Sequence, residues 1–240
     1  GLMYGFVSDG FYSVDDFSSY DPVTKKYILK DGQPINDLAT GIGMRPGIMK
    51  LKDLDGDGHI TADKDRQVIG HASAKHSGGL GINTQYKGFD CNMFFNWKYG
   101  FDVYNTSKIL FQTQWRNTNA NMFNSMNYKN RFKYIDENTG ELVTDLEALR
   151  SLNQNATIWS PYSTVSNVVI FTSDNVEDGS YLRLSNITFG YTLPKSIVSK
   201  FRIQSFRLYT TVYNAWLWTK YSGYDPEVST NRSNSNCNKL

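Results

Sequence analysis

Residues 51–66 read LKDLDGDGHITADKDR, the stretch of this 240-residue sequence that comes closest to offering chemistry. Asp53, Asp55 and Asp57 stand at alternate positions and run into Gly58. A hard cation such as Ca2+ takes about six to eight oxygen ligands, drawn in an EF-hand loop from roughly positions 1, 3, 5, 7, 9 and 12. Counted from Asp53, the first three of these are carboxylates, and Gly58 supplies the sharp turn. His59 follows and offers a backbone carbonyl. The last position, where a bidentate Glu belongs, is Lys64; Asp63 and Asp65 flank it and would serve only in a reshaped loop. Pro46, Gly47 and Gly70 bracket the segment and neither flank carries a helical apolar period, so the helices of a regulatory EF-hand are not expected. Two readings stand. One is a weak Ca2+ loop of Asp53, Asp55, Asp57, His59, Asp63 and Asp65; the other is an Asx/Gly-rich turn whose carboxylates face water. In both, the loop is a fitting on something larger.

Little else reads as reactive. His59, His71 and His76 have no metal-ligand spacing with the two cysteines, and no Ser/His/Asp arrangement is legible, so no catalytic residue and no enzyme activity are expected. Gly78, Gly79 and Gly81 precede no helix that would make a phosphate cradle; they suit a bulge or close packing. Trp115, Trp159 and Tyr162, with Phe123 and Tyr128, are candidates to stack on sugars, to contact a partner protein, or to pack a long loop against the rest of the fold. A net charge of +2 and no cluster of more than two adjacent Lys/Arg argue against a nucleic-acid partner. No cofactor is required by these residues, with Ca2+ the one candidate ion.

The elements that must position this loop are strands. Aromatics make up 15% of the chain, yet mean hydropathy is −0.48, a combination that suits β-structure with one polar face. In FDCNMFFNWKYG (89–100), Phe89, Cys91, Met93, Phe95, Trp97 and Tyr99 share one face; Asp90, Asn92, Phe94, Asn96 and Lys98 share the other. Cys91 thus reads as a buried or lipid-facing thiol rather than a disulfide partner. HSGGLGINTQYK (76–87) alternates more weakly and is joined to it by a tight turn at Gly88. SYLRLSNITFGYTLP (180–194) slips phase between Leu184 and Ile187, which predicts a bulge or a mixed face. KSIVSKFR (195–202) predicts a short helical turn, and 203–221 a further strand. Strands of this length, apolar on one face with rings at both ends, fit an outer-membrane barrel, whose strands need about 9–11 tilted residues. Short turns alternating with long segments at 22–75 and 105–179 fit the same picture, the long segments being outer loops. Four good strands, with a fifth ending near Phe6, fall short of the roughly eight of the smallest closed barrel. The expected fold is therefore all-β: an incomplete segment of about 4–5 antiparallel strands of a large transmembrane β-barrel.

Several stretches resemble a known family. KDLDGDGHI with DKDRQVIG (52–60, 63–70), YKGFD (86–90), DGSYLRLSNITFGYTLPKS (178–196), and YNAW with TKYSGYDPEVS (213–216, 219–229) resemble the C-terminal part of SusC/RagA-type TonB-dependent transporters. The opening YGFVSDGFY resembles the segment that precedes the Asp-rich loop in that family. The resemblance runs from about Gly5 to Ser229 and is weak over 106–177. It implies an active importer of oligosaccharides or peptides in the outer membrane of a Bacteroidetes-like Gram-negative cell. The implied partners are a SusD-like surface lipoprotein, membrane lipid, and TonB, ExbB and ExbD acting through an N-terminal part. It further implies that 1–229 is C-terminal barrel, that 230–240 is outer-loop tail, and that the plug and last strand lie outside these residues. The alternative from another class is a secreted, calcium-stabilised β-domain such as a carbohydrate-binding module.

Overall fold

The computed structural model describes residues 1–39, 43–112, 121–161 and 171–227. They divide into two compact units. The first is built from His71–Val103 and the described residues from Glu177 onward; the second from Leu2–Gly70 and Tyr104–Val176.

The first unit is a four-stranded antiparallel sheet of β1 (His76–Tyr86), β2 (Phe89–Tyr99), β3 (Tyr181–Thr192) and β4 (Arg207–Thr219), in spatial order β4-β3-β2-β1. The β1–β2 connection is the two-residue turn Lys87-Gly88, one residue longer than the sequence alone predicts. Both residues have positive φ, 47° and 87°, as a type I′ turn requires. A Cβ at Gly88 would also lie 2.8 Å from the Thr192 carbonyl oxygen, so backbone angle and space both favour glycine there. The expected helical turn is present as Lys195–Val198 followed by a 3-10 turn, Ser199–Phe201.

Register explains the phase slip. Phe94 pairs with Asn186 but Phe95 pairs with Leu184, leaving Ser185 as the extra residue of a bulge. The bulge returns Leu182 and Leu184 to the face that carries Ile187, Phe189 and Tyr191. One face therefore reads as continuous rows across the sheet. Tyr86, Phe89, Tyr191 and Leu208 form the row nearest the turn, and Ile82, Met93, Ile187 and Val212 a middle row. Leu80, Phe95, Leu184 and Trp216 follow, then Trp97, Leu182 and Trp218.

The two long segments expected as outer loops make up most of the second unit, with secondary structure and a core of their own. Its strands are short: Phe17–Asp21 pairs with Lys26–Leu29, Ser8–Phe11 with Met49–Leu51, and Ile35–Asn36 runs parallel to His59–Ile60. The strand anticipated near Phe6 exists as Leu2–Phe6, but it pairs with Arg66–His71 rather than with the four-stranded sheet. Helix α1 (Leu146–Leu152) is capped by the Asp145 carboxylate, which accepts the Ala148 N–H at 2.9 Å. Leu149 of α1 packs with Val14 and Phe132; Tyr12, Phe17, Ala39 and Ile48 form another cluster, and Phe6, Leu51 and Ile60 a third. Elements of two to seven residues give no sustained period, which is why the sequence reads there as loop. Among the described residues no helix is long and apolar enough to cross a membrane.

Candidate functional site

Among the described residues nothing covers the apolar rows of the sheet: Phe89, Phe189, Leu208, Val212, Trp216 and Trp218 are all exposed. Rings gather at both ends of this face. Phe89 and Tyr191 lie 4.4 Å apart between centroids near the turn, while Trp216 and Trp218 lie 6.3 Å apart at the far end, where Tyr99 stacks on His76. Eleven residues at about 3.3 Å each, tilted by about 45°, span roughly 25 Å, the height of a barrel's lipid-facing band. A face this apolar in water would be an aggregation surface; against hydrocarbon it is at home. Free Cys91 lies on the same face, paired with Thr84 on one side and Phe189 on the other.

The opposite face is polar and tied together by ion pairs. The Arg207 guanidinium of β4 reaches across β3 to Asp90 of β2, with Nε donating to Oδ1 at 3.0 Å. The crossing passes over Gly190, where a Cβ would lie 2.5 Å from both the guanidinium and the carboxylate. Thr188 and Thr211 hydroxyls sit 2.9 Å apart, and Ser185 at the bulge donates to Asn96. Nearer the far end, nearly buried Arg183 donates to both oxygens of Asp225, at 2.7 and 2.9 Å, with Glu227 3.3 Å away. The LRLSN and YDPEV stretches, 42 residues apart, thus meet where one guanidinium nitrogen of Arg183, Nη2, donates to both carboxylate oxygens of Asp225. Gly78 lies against the Trp97 ring and Gly79 against Phe94, which agrees with close packing as the role of that glycine cluster.

The acidic loop belongs to the second unit. Carboxylate oxygens of Asp53, Asp55 and Asp57 converge within 4.8 Å of one another, the one such group among the described residues. Backbone donors shape it: Asp53 accepts the N–H of Gly56 at 2.7 Å and of Gly58 at 2.9 Å, and Asp57 accepts that of His59 at 2.9 Å. Lys64, standing where the closing Glu of an EF-hand would be, brings its ammonium onto Asp57 and to 3.3 Å from Asp55. Its hydrogen bond, helped by the His59 N–H, holds the Asp57 carboxyl below the usual carboxylate range. Asp57, followed by Asp55, in turn raises the Lys64 ammonium above its ordinary value. Asp65 is not placed as a ligand. It is fully buried and accepts the N–H groups of Leu54 at 2.8 Å and Thr61 at 2.7 Å, clamping the two ends of the loop. Asp63 is exposed and outside the convergent group. The His59 ring turns to Asp37, Nδ1 3.1 Å from the carboxylate.

Of the candidate stacking residues, Trp159 is buried and offers no face to a sugar. Trp115 and Tyr162 lie outside the described residues. Asp65's clamp, the Asp90–Arg207 crossing and the Arg183–Asp225 pair are absent from the sequence reading. Each joins residues that carry no spacing signal.

No protein-family model matches the chain. It is 32% identical over 242 residues to TonB-dependent receptor P3 of Formosa agariphila, with 98% of this chain and 19% of the relative aligned. Receptor P39 of the same organism is 24% identical over 256 residues, covering 98% and 22%. The chain thus spans about a fifth of the length of the curated relatives it matches. Among solved structures, it superposes on the RagAB peptide importer in its closed-closed state with a TM-score of 0.55 at 18% identity, over 94% of this chain and 20% of that one. A second structure of the RagAB peptide transporter gives 0.55 at 17%, with the same coverage. Long strands with a bare apolar face belong to that barrel fold. Over nearly its whole length, the chain is a homologue of TonB-dependent receptors, folded like one segment of a RagAB transporter chain.

Proposed function

We propose that these residues form part of the wall and periphery of an outer-membrane importer that draws its energy through TonB. The observation that carries this reading is the uncovered apolar face, ring-bordered at both ends and continuous across four strands in register. Homology to TonB-dependent receptors supports it. In this reading 1–229 is C-terminal barrel sequence, and the second unit stands at the outer surface. TonB, ExbB and ExbD act on an N-terminal part of the whole receptor. A SusD-like lipoprotein receives cargo outside, and the cargo is an oligosaccharide or a peptide. The RagAB neighbours, a peptide importer, show that a related fold serves the second of these.

Two experiments test it. In a cell bearing the whole gene, its disruption should abolish uptake of at least one oligosaccharide or peptide, and a protonophore should do the same to the parent. Uptake untouched by both would refute the import role. In a Cys91→Ser background, Val212→Cys should react with a membrane-soluble maleimide and Thr211→Cys with a water-soluble one. The reverse pattern would refute the assignment of faces.

For the acidic loop, we propose weak Ca2+ binding by Asp53, Asp55 and Asp57, of the millimolar class of extracellular modules. Convergence of three carboxylates supports it, and Lys64, a cation already in place, sets its weakness. Calorimetry of the whole receptor at millimolar Ca2+ should detect heat that Asp53→Asn removes. The same heat in parent and variant would refute it.

A further inference from the structure

A cleft of about 1150 Å3 opens within the second unit, lined by the hairpin tip around Lys25, by residues 43–45 and by residues 128–144. It is larger than the roughly 300–1,000 Å3 that accommodates a drug-sized ligand. Its lining is strongly one-signed. Lys25, Lys26, Arg45, Arg131 and Lys133 face a single carboxylate, Glu137. Among the described residues, Lys25, Lys26, Arg131 and Lys133 form no ion pair. Lys25, Lys26, Arg131 and Lys133, gathered with no carboxylate paired to them among the described residues, repel one another, and a cleft focuses their field. Such a site is relieved by an anion.

The rings make the second half of the site. Tyr20, Tyr27, Tyr128 and Tyr134 line the same cleft. Lys133 Nζ stands 4.2 Å from the centre of the Tyr128 ring, and the Arg131 guanidinium 5.8 Å from the same ring. Arg45 lies 4.9 Å from the centre of Tyr134. Two of the rings, Tyr128 and Tyr134, thus carry a positive charge over one face, while Tyr20 and Tyr27 lie 4.8 Å apart between centroids in the same lining. The hairpin tip adds an independent sign. Lys25 adopts φ 56°, a left-handed conformation that glycine takes without strain. The turn is fixed by Asp21, which accepts the Val23 N–H at 2.9 Å and the Thr24 hydroxyl at 2.6 Å. A lysine held where glycine is the easier residue places a charge at the cleft.

We propose that this cleft binds an acidic oligosaccharide, whose successive sugar rings carry carboxylate or sulfate groups. Each unit of such a chain presents an apolar face for a tyrosine and an anion for a neighbouring lysine or arginine. An acidic peptide carries its charges on flexible stems with no face to stack, so it uses the cations and leaves the rings idle. The inference narrows the cargo of the import reading and rests on it only for the step from binding to uptake.

The test is calorimetry on the whole receptor in detergent. The probes are hexagalacturonate and a sulfated hexasaccharide, with maltohexaose and hexaglutamate for comparison. At least one acidic sugar should bind, and raising NaCl from about 0.05 to about 0.5 M should weaken it severalfold through screening. Lys133→Ala should lower affinity about tenfold by removing a charge-assisted contact. Lys25→Gly should lower it while leaving the fold intact, since glycine suits that φ. The proposal is overturned by maltohexaose binding as tightly, by hexaglutamate alone binding, by neither acidic sugar binding, or by both variants binding as the parent does. Binding in a receptor that imports nothing would leave the cleft assigned and remove the import role. Import without acidic-sugar binding would do the reverse.

Discussion

Phe89, Leu208 and Trp216 stand 61, 68 and 61% exposed on the four-stranded sheet, whereas Tyr12, Ile48, Ile60 and Leu149 in the other unit are 0% exposed. The same residue classes thus lie outside in one region and inside in the other. What differs is the length and regularity of the strands. The sheet's strands run for 11 to 13 residues with their apolar side chains in phase, so every row ends on one face and nothing in the sheet can cover it. The other unit's strands are two to six residues long, and its apolar side chains fold over one another into three clusters. A hydrophobic face has to meet something apolar. In the second unit it meets its own chain, and in the sheet no described residue covers it.

The contrast breaks most visibly where a charge is forced into the closed core. Ile48→Asp would bury an unpaired carboxylate among Tyr12, Phe17 and Ala39, a change on the order of 4–5 kcal/mol or more. Limited proteolysis should then open the second unit at temperatures where the parent resists. Unchanged protection would mean that this cluster is no core. The sheet's counterpart is Met93→Arg, in the middle apolar row. An arginine facing lipid at the midplane costs about 2–4 kcal/mol, while its neighbour Asn92→Arg, on the polar face, should cost little. Barrel stability in lipid vesicles, by denaturant titration, measures both. Equal effects would show that the two faces are not in different solvents.

A finer probe lies on the sheet's polar face. Gly190→Val places a branched side chain where Arg207 crosses to Asp90, so the ion pair must part or the strands must shift. Overpacking of this kind costs about 1–3 kcal/mol. Asp90→Asn should cost less, because the pair is partly exposed and shields little charge from water. If Gly190→Val were neutral, the crossing would be incidental rather than a tie across three strands.

The sheet is legible because alternation is a local signal: FDCNMFFNWKYG states its own faces, and the slip between Leu184 and Ile187 marks a bulge or a mixed face, which the strand register resolves as a bulge at Ser185. Pairing partners were less legible. Leu2–Phe6 alternates well enough to be seen as a strand, but its pairing with Arg66–His71 depends on residues 60 positions away. The second unit was read as loop because its elements are shorter than any period they could display. Its cleft was hidden for a related reason: Lys25, Arg45, Arg131 and Lys133 come from three distant stretches, each unremarkable alone. At the acidic loop the letters misled in one respect. Asp65 has the same side chain as the three convergent aspartates, and only burial and two backbone N–H partners distinguish a clamp from a ligand.

The smallest expected effect separates those two roles. Asp57, held below the ordinary carboxylate range chiefly by Lys64, contributes its stability above about pH 4, the ordinary unfolded value, and loses it as pH falls through its folded pKa. Lys64, held above its ordinary value by Asp57 and Asp55, contributes below about pH 10 and loses that contribution as pH rises past its folded pKa. The pair therefore works as a built-in counter-ion between those limits, weakly, because both groups meet solvent. Removing it with Lys64→Ala leaves three carboxylates converging with no cation among them. Protection of the loop from proteolysis at neutral pH should then fall in EDTA and recover with millimolar Ca2+ further than the parent's does. If Ca2+ leaves the variant unchanged, the convergence of Asp53, Asp55 and Asp57 is turn geometry alone. In Asp65→Asn, by contrast, calcium should restore nothing, because what that substitution weakens is a pair of buried backbone hydrogen bonds that no external ion can reach.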